Sequence, residues 1–372
     1  MQGRIRSATE EDLPGIVALY ARVYPQRADS SLERRSAYMK RLLWGNPWRT
    51  DDLPSLVYQD DSGQIRGFLG VLPRPMWMHG RPIRMAVSHH FMVDSDRRTT
   101  LAGLGLMKAF LNGAQDLSVS EPGPVSRKIW EAVGGKTALF QSLFWKRVIQ
   151  PAGYLAFLLK ERRLAPIATV IGPVCRILDS VVARIPGSPF RISAPETASD
   201  AKGVDAEELR ASIEWCSRDC SLRPAYDAKS LAWLLEVLDN RRSPGTLRKK
   251  IVRSPGKGAI GHYLYYAKPR GVSEVVQVAM HKGCAGAVLD DLLHDAWTQG
   301  SVALSGRLDP RYASEISDRR AYFKYRQNWL LIHSKAPELE GAIYAGDAFL
   351  TRLEGEWWIP FRDGADLDAA DG

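Results

Sequence analysis

No apolar run in the 372-residue sequence is long and clean enough to cross a membrane. The most apolar stretch, residues 167–185, is broken by Pro173, Arg176 and Asp179. That excludes a spanning helix and leaves a helix packed between domains as the expectation. Cysteine is scarce. Four residues, Cys175, Cys216, Cys220 and Cys284, are too few to frame a chain of this length with disulfides. Cys216 and Cys220 stand four apart on an expected helix, but no histidine lies near them in sequence, so buried thiols are expected rather than a metal site. Zinc-finger spacings and RNA-binding aromatic signatures are missing too. The opening residues, MQGRIRSATEEDLPGI, lack a signal-peptide core, which points to the cytoplasm.

What is present is a basic, otherwise ordinary globular composition: 45% hydrophobic, 25% charged, formal net charge +9. The excess of positive charge is compatible with an anionic cofactor, a nucleic acid or an acidic membrane surface. It is spread along the chain in short clusters, such as Arg241 and Arg242 or Arg248, Lys249 and Lys250, without a nucleic-acid motif. The length suggests two domains.

The chain is organised around residues 86–113, AVSHHFMVDSDRRTTLAGLGLMKAFLNG. Ala86, Val87, Phe91, Met92 and Val93 suit a buried strand; a polar turn, 94–100, follows. Leu101, Leu104, Met107 and Leu111 then recur at roughly helical spacing, with Gly103 and Gly105 in the first turns. A strand, a polar turn and a glycine-bearing helix start together make an anion site. The N–H groups of the first helical turn point outward, and the helix dipole adds partial positive charge. Arg97 and Arg98 are placed to pair with phosphate oxygens, and the glycines admit a bulky diphosphate.

This stretch resembles motif A of the GNAT N-acetyltransferase superfamily, which runs from a strand through an arginine to a glycine-bearing helix start and cradles the pyrophosphate of acetyl-CoA. Val93 takes the valine place and Arg98 the arginine place; Ser95 stands where proline is usual, Leu101 fills the first glycine place and Gly103 the second. The resemblance implies acetyl-CoA as acyl donor, no metal, and a cofactor site at Phe91, Met92, Val93, Arg98, Thr99, Thr100, Leu101, Ala102, Gly103, Leu104 and Gly105. The opening is similar to the same family: a strand at Ile5–Ala8, then Thr9 as N-cap with Asp12 in the acid place of a capping box. Further on, 129–135 occupies the family's helix beside CoA, with Trp130 where the tyrosine that protonates the CoA thiolate is common. An indole N–H donates hydrogen bonds but is no useful acid.

Between these landmarks the residues read as a helix over 30–43, a hairpin of 55–59 with 64–72, an irregular connection over 73–82, and strands at 82–93, 116–120 and 138–149. Trp44 and Trp48 are candidates for core packing or for lining a substrate cleft. From Leu222 the element order recurs: helix 229–238, strands 247–254, 258–267 and 273–281, helix 285–299, strand 301–307, helix 312–323, then 329–335 and 343–353 closing the sheet. The expected fold is therefore α/β (α+β), a mixed and mostly antiparallel sheet flanked by helices, in two tandem GNAT-like copies. The units are 1–150, a helical connection 151–221, a second copy 222–362 and a mobile acidic tail 363–372. The turn 281–286 lacks the arginine–glycine pattern, so the second copy is expected to complete a substrate cleft, although Gly283 and Gly286 retain a capacity to hold an anion.

Acetyl transfer to an amine needs an acceptor for the proton and donors for the thioester oxygen. Candidate bases near the strand end are His89, His90 and Glu121; alternation places the two histidines on opposite sheet faces. Tyr20, Tyr24 and Tyr38 are candidate acids. The expected function is acetyl-CoA-dependent N-acetylation of a primary amine on a small molecule, an amino sugar or aminoacyl compound among the options. The alternative is a catalytically silent acyl-CoA-binding or scaffold protein, suggested by Leu101 and Trp130. The expected partner is a small-molecule amine, with no nucleic acid, no stable membrane insertion and an open oligomeric state, a homodimer included.

Overall fold

The computed structural model describes residues 3–25, 32–94, 100–162, 164–199, 203–240, 245–256 and 258–359. The first half contains β1 (Arg4–Ser7), α1 (Leu13–Val23), α2 (Leu32–Leu43), β2 (Leu56–Gln59), β3 (Ile65–Met78), β4 (Arg81–Val93), α3 (Thr100–Leu111), β5 (Leu117–Ser120), α4 (Pro124–Ala132), β6 (Lys136–Thr137) and β7 (Leu143–Val148). The connection carries α5 (Pro151–Glu161), α6 (Ala165–Arg184), β8 (Ala198–Ser199) and α7 (Ala206–Ser217). The second half follows with β9 (Leu222–Pro224), α8 (Ala228–Asp239), β10 (Thr246–Ser254), β11 (Gly258–Ala267), β12 (Val272–Met280), α9 (Ala285–Thr298), β13 (Ala303–Arg307), α10 (Ala313–Asp318), β14 (Tyr322–Tyr325), β15 (Leu331–Ser334) and α11 (Pro337–Tyr344). The α+β class with two helix-flanked, mostly antiparallel sheets is as the sequence leads one to expect.

Local chemistry sets the first elements. The Asp12 carboxylate accepts from the Thr9 backbone N–H at 2.8 Å, closing the capping box, and Arg6 grips it with two contacts of 2.7 Å. This fixes β1 against the start of α1. The long hairpin β3–β4 corrects the expected irregular connection at 73–82: strand pairing continues from Gly67↔Val93 to Met78↔Arg81. Pro73 and Pro75 are tolerated because β2 pairs only as far as Leu69 and β9 begins at Met76, so that stretch of β3 has a strand partner on its β4 side alone. The second half differs from expectation as well. Residues 343–353 form the end of α11 and irregular backbone rather than a strand, and helix 312–323 shortens to α10 before β14.

The two sheets exchange strands. The first runs β1-β2-β3-β4-β5-β15-β6 with β9 on β3; the second runs β14-β7-β13-β12-β11-β10-β8. Thus β7, from the first half, pairs with β13, and β15, from the second, pairs with β5. Trp130 is fully buried beneath this exchange, donating its indole N–H to the Ile332 carbonyl at 3.2 Å. Gly135 is required there, since a Cβ would overlap the indole. One apolar cluster runs through both halves, from Leu72 and Met76 through Leu209 and Leu264 to Ile332, Phe349 and Trp358.

The helix at 167–185 is not packed between domains. It packs on α5, and among its described side chains only Cys175 and Asp179 are buried. Among the described residues, four non-glycine positions have positive φ, and one of them, His90 (φ 48), lies in the organising strand.

Exchanged strands and a shared core make the halves one cooperative unit. Denaturant unfolding followed by tryptophan fluorescence and by far-ultraviolet circular dichroism is expected to give coincident single transitions. Trp130→Ala should lower stability by about 3–5 kcal/mol. Two resolved transitions would contradict this.

Candidate active site at the opening between two parallel strands

Strands β4 and β5 run parallel and pair over only three residues, Met85↔Leu117, Ala86↔Ser118 and Val87↔Val119. Beyond Val87 they separate, so the β5-facing backbone edge of β4 from Ser88 onward has no strand partner among the described residues. An opening of this kind presents unpaired N–H and C=O groups to an extended ligand.

A β-bulge shapes the opening. Phe68 pairs Met92 and Gly70 pairs His89, so β4 carries one extra residue there, and His90 takes the left-handed conformation that the bulge demands. The bulge corrects the expectation that the histidines face opposite ways. Their rings meet, Nδ1 to Nδ1 at 2.8 Å, and His90 lies 6.3 Å from the Tyr38 ring of α2. Both are 1% exposed. Gly70 makes room, because a Cβ there would collide with the His89 ring. Burial, and secondarily the neighbouring His90, hold the His89 pKa well below the usual histidine value. Its Nε2 has no hydrogen-bond partner among the described residues.

Phe91 and Val93 turn to the other face, against α3. A Cβ at Gly103 would come within 3.3 Å of Phe91 and 3.4 Å of Val93, so this glycine seats the helix start on the strand. Gly105 packs on Ile5 instead. Ala102 is buried, Leu104 and Gly105 are half-buried, and Leu101 is 76% exposed. Met92 packs in the core with α1 and α2. Helix α3 begins at Thr100; Arg97, Arg98 and Thr99 lie outside the described residues. Asp94, at the end of β4, is tied to Arg22 (3.0 Å) and Arg66 (3.1 Å), which fixes the strand end. The open β4 edge and the helix start seated by Gly103 fit a CoA-type ligand with an extended arm and an anionic head.

Glu121 immediately follows β5 and is buried. Its carboxylate pairs with Arg307 at the end of β13 and accepts from the Trp357 N–H at 2.8 Å. Gly355 permits this approach, since a Cβ would meet the carboxylate at 2.6 Å. Beside it Glu356 Oε2 accepts from Ser120 Oγ (3.1 Å) and from the Glu121 N–H (3.0 Å). Desolvation pushes the Glu356 pKa up to about 8, against the opposing hydrogen bond from Ser120. The residue is nonetheless half-buried rather than sealed, unlike Glu354 and Gly355 before it. Glu356, Trp357 and Arg307 escape sequence reasoning. The only signal is a pair of carboxylates among tryptophans in TRLEGEWWI, near the end of the chain.

The equivalent opening in the second half is narrowed to a cavity of about 20 Å³. Strands β12 and β13 pair in parallel from Val272↔Ala303 to Glu274↔Ser305. Arg352 reaches into the divergence, donating to Glu274 (2.7 Å) and to the Val275 carbonyl (3.0 Å), while Arg326 bonds Glu274 and Ser305 Oγ. Burial alone would raise Glu274, but Arg326 and Arg352 overcome it and hold the carboxyl at about 2. A cavity of about 890 Å³ opens near the start of α9, but none of its lining residues belongs to β4 or β5. Its Arg319 is engaged by Asp290 and the Gly286 carbonyl, and its Arg147 by the Pro189 carbonyl. This cavity and the opening between β4 and β5 are separate places in the fold.

Other candidates resolve into packing. Trp48 is buried under the Arg74 guanidinium, 4.3 Å from the ring, and Tyr20 lies under Arg35 at 4.0 Å. Trp44 lines a small cavity of about 120 Å³ beside β3. Burial raises the thiols of Cys216, to about 12, and Cys220, to about 11, which disfavours the thiolate.

No protein-family model matches the chain, and no curated protein sequence matches it. Solved structures do. A conserved protein of unknown function from Enterococcus faecalis, described as a probable N-acyltransferase, has a TM-score of 0.56 at 13% identity, covering 90% of this chain and 72% of that one. A GCN5-related N-acetyltransferase from Anabaena variabilis gives 0.55 at 12%, covering 89% and 72%. The N-myristoyltransferase of Saccharomyces cerevisiae gives 0.50 at 9%, covering 89% and 79%. Such likeness establishes the fold: this chain has the GNAT fold, and the match spans both halves.

The buried histidines make stability depend on pH. His89 is depressed by burial, and burial lowers His262 to about 4 despite its hydrogen bond with Gln277. Below the unfolded value of about 6.5, the unfolded chain takes up protons that the folded chain refuses, so stability falls as pH drops, by at most about 1.4 kcal/mol per pH unit for each group. Denaturation midpoints measured from about pH 6.5 down to about pH 4 should decline, and His89→Gln or His262→Gln should flatten the decline. A flat wild-type profile would contradict the burial of neutral histidines.

Proposed function

We propose that the chain is an acyl-CoA-dependent N-acyltransferase whose donor site is the opening between β4 and β5 in the first half, and whose acceptor is a primary amine on a small molecule. The observation that carries this reading is the asymmetry of the two openings: Arg352 and Arg326 reach into the second, whereas β4 beyond Val87 has no strand partner on its β5 side among the described residues and a carboxyl of raised pKa lies at the end of β5. Acyl-CoA, when bound, supplies an acyl thioester activated toward amines. Acetyl is the acyl group proposed from the motif at Val93, Arg98 and Gly103.

The chain's own residues divide the work. The free edge of β4 around Phe91, Met92 and Val93 pairs with the extended arm of the ligand. Arg98, Thr99 and the helix start from Thr100 to Gly105 take the diphosphate. Backbone N–H groups of β4 beyond Val87 donate to the thioester oxygen as charge develops on it. Glu356 is the proton acceptor. With a pKa near 8 it is matched to receive a proton from an ammonium as the amine attacks and the C–S bond breaks. Glu121, locked between Arg307 and the Trp357 N–H, positions the segment that carries Glu356. His89 and His90 sit behind the bulge and shape the edge. Trp130, buried in the core, has no part in protonating the thiolate; that proton returns from Glu356 or water.

The test is thiol release from acetyl-CoA across a panel of primary amines, beside calorimetric titration of CoA. Turnover should appear with at least one amine, and kcat/KM should rise with pH through about 8. Glu356→Gln should lower kcat by about 10²–10⁴ with CoA affinity unchanged. Arg98→Ala should weaken CoA binding by about 1.5–3 kcal/mol while the fold survives. CoA binding with no thiol release from any amine would favour the alternative, a silent acyl-CoA-binding protein.

A further inference from the structure

The hairpin of α5 and α6 is inside out. Ten large apolar side chains between Leu155 and Ile185 are exposed, with Val170 at 77% and Ile177 at 66%. No residue of α5 is buried. On α6, Ile167, Val170, Val174, Ile177, Val181 and Ile185 recur at helical spacing and fall within an arc of about 100°. The polar residue is turned inward instead. Asp179 is buried against the start of α5, accepting from the Ala152 and Gly153 N–H groups at 2.9 and 2.8 Å, where it also complements the helix dipole. Gly153 approaches Val302, and the Tyr154 hydroxyl meets the Tyr322 hydroxyl at 3.3 Å, so the hairpin is fastened to the second sheet by the base of α5. Its length beyond that carries apolar surface outward, far more than a scatter of single exposed residues would present.

The charges around this face decide what covers it. Residues 151–191 contain six basic residues, Lys160, Arg162, Arg163, Arg176, Arg184 and Arg191, against Glu161 and Asp179, and Asp179 is spent inside the hairpin. Lys160, Arg162, Arg184 and Arg191 are exposed. A second copy would bring one basic hairpin against another. A layer of anionic headgroups over hydrocarbon matches both the apolar arc and its basic flanks. None of the helices among the described residues is long and apolar enough to cross a membrane, so the contact lies in the plane of the surface.

We propose that α5 and α6 form a monotopic anchor that docks the protein on the surface of an anionic phospholipid bilayer. The inference is independent of the transfer reaction. It concerns peripheral adsorption and is distinct from the stable insertion that the sequence argues against.

Co-sedimentation of the full chain with vesicles tests it. The protein should pellet with equimolar phosphatidylcholine and phosphatidylglycerol, and much less with phosphatidylcholine alone, and added salt should weaken binding. The combined variant Val170→Ser, Val174→Ser, Ile177→Ser, Val181→Ser should lose at least about tenfold in binding while its thermal unfolding matches wild type. Lys160→Glu with Arg184→Glu should abolish the preference for phosphatidylglycerol. The proposal is overturned if the wild type stays in solution with both vesicle types, or if the serine variant pellets as well as wild type. It is equally overturned if sedimentation velocity shows a dimer that the serine variant splits and vesicles do not.

Discussion

The parallel pairing of β4 and β5 stops after Val87 and Val119, and the arrangement of the first half follows from keeping that divergence open. A sheet cannot leave a backbone edge bare inside a protein without holding the flanking strands by other means. Here β4 is held by its hairpin with β3 and by Asp94 between Arg22 and Arg66. Strand β5 is held by β15, delivered from the other half of the chain, and its end by the buried Glu121–Arg307 pair. Removing one partner of such a pair would strand a buried charge, so the pair specifies how the halves meet more than it adds stability.

The same segment of chain reaches both divergences. Residues 351–357 place Arg352 in the divergence of β12 and β13, and Glu356 beside Ser120 and Glu121 at the end of β5. The two divergences are thereby unequal: one holds an ion cluster around Glu274, and beside the other stand Glu356 and the Glu121–Arg307 pair. Of the arginines that line the large cavity near α9, Arg319 bonds Asp290 and Arg147 bonds the Pro189 carbonyl.

Local rules carried the sequence reading where local chemistry dominates. The Thr9–Asp12 box, the strand ending at Val93 and the helix bearing Gly103, and the recurrence of element order all depend on neighbours in sequence. The exchange of β7 and β15 did not show, because LFWKRV and LIHS are short apolar strands that suit either sheet equally. The bulge did not show either: strict alternation separates His89 from His90, and only the positive φ at His90, stabilised by the Gly70 vacancy across the ladder, brings the rings together. Residues 343–353 read as a strand by their apolar content, yet the tertiary demand on Arg352 and Glu354 keeps that stretch irregular. Likewise an apolar run such as 167–185 suggests burial, while the fold leaves its apolar arc in the open.

The central claim is that one opening, in the first half, takes the acyl donor. Amide hydrogen exchange with and without CoA locates that ligand directly. The account requires added protection at residues 88–94 and 100–106 and none at 281–290. Protection at the start of α9 with none along β4 would contradict it.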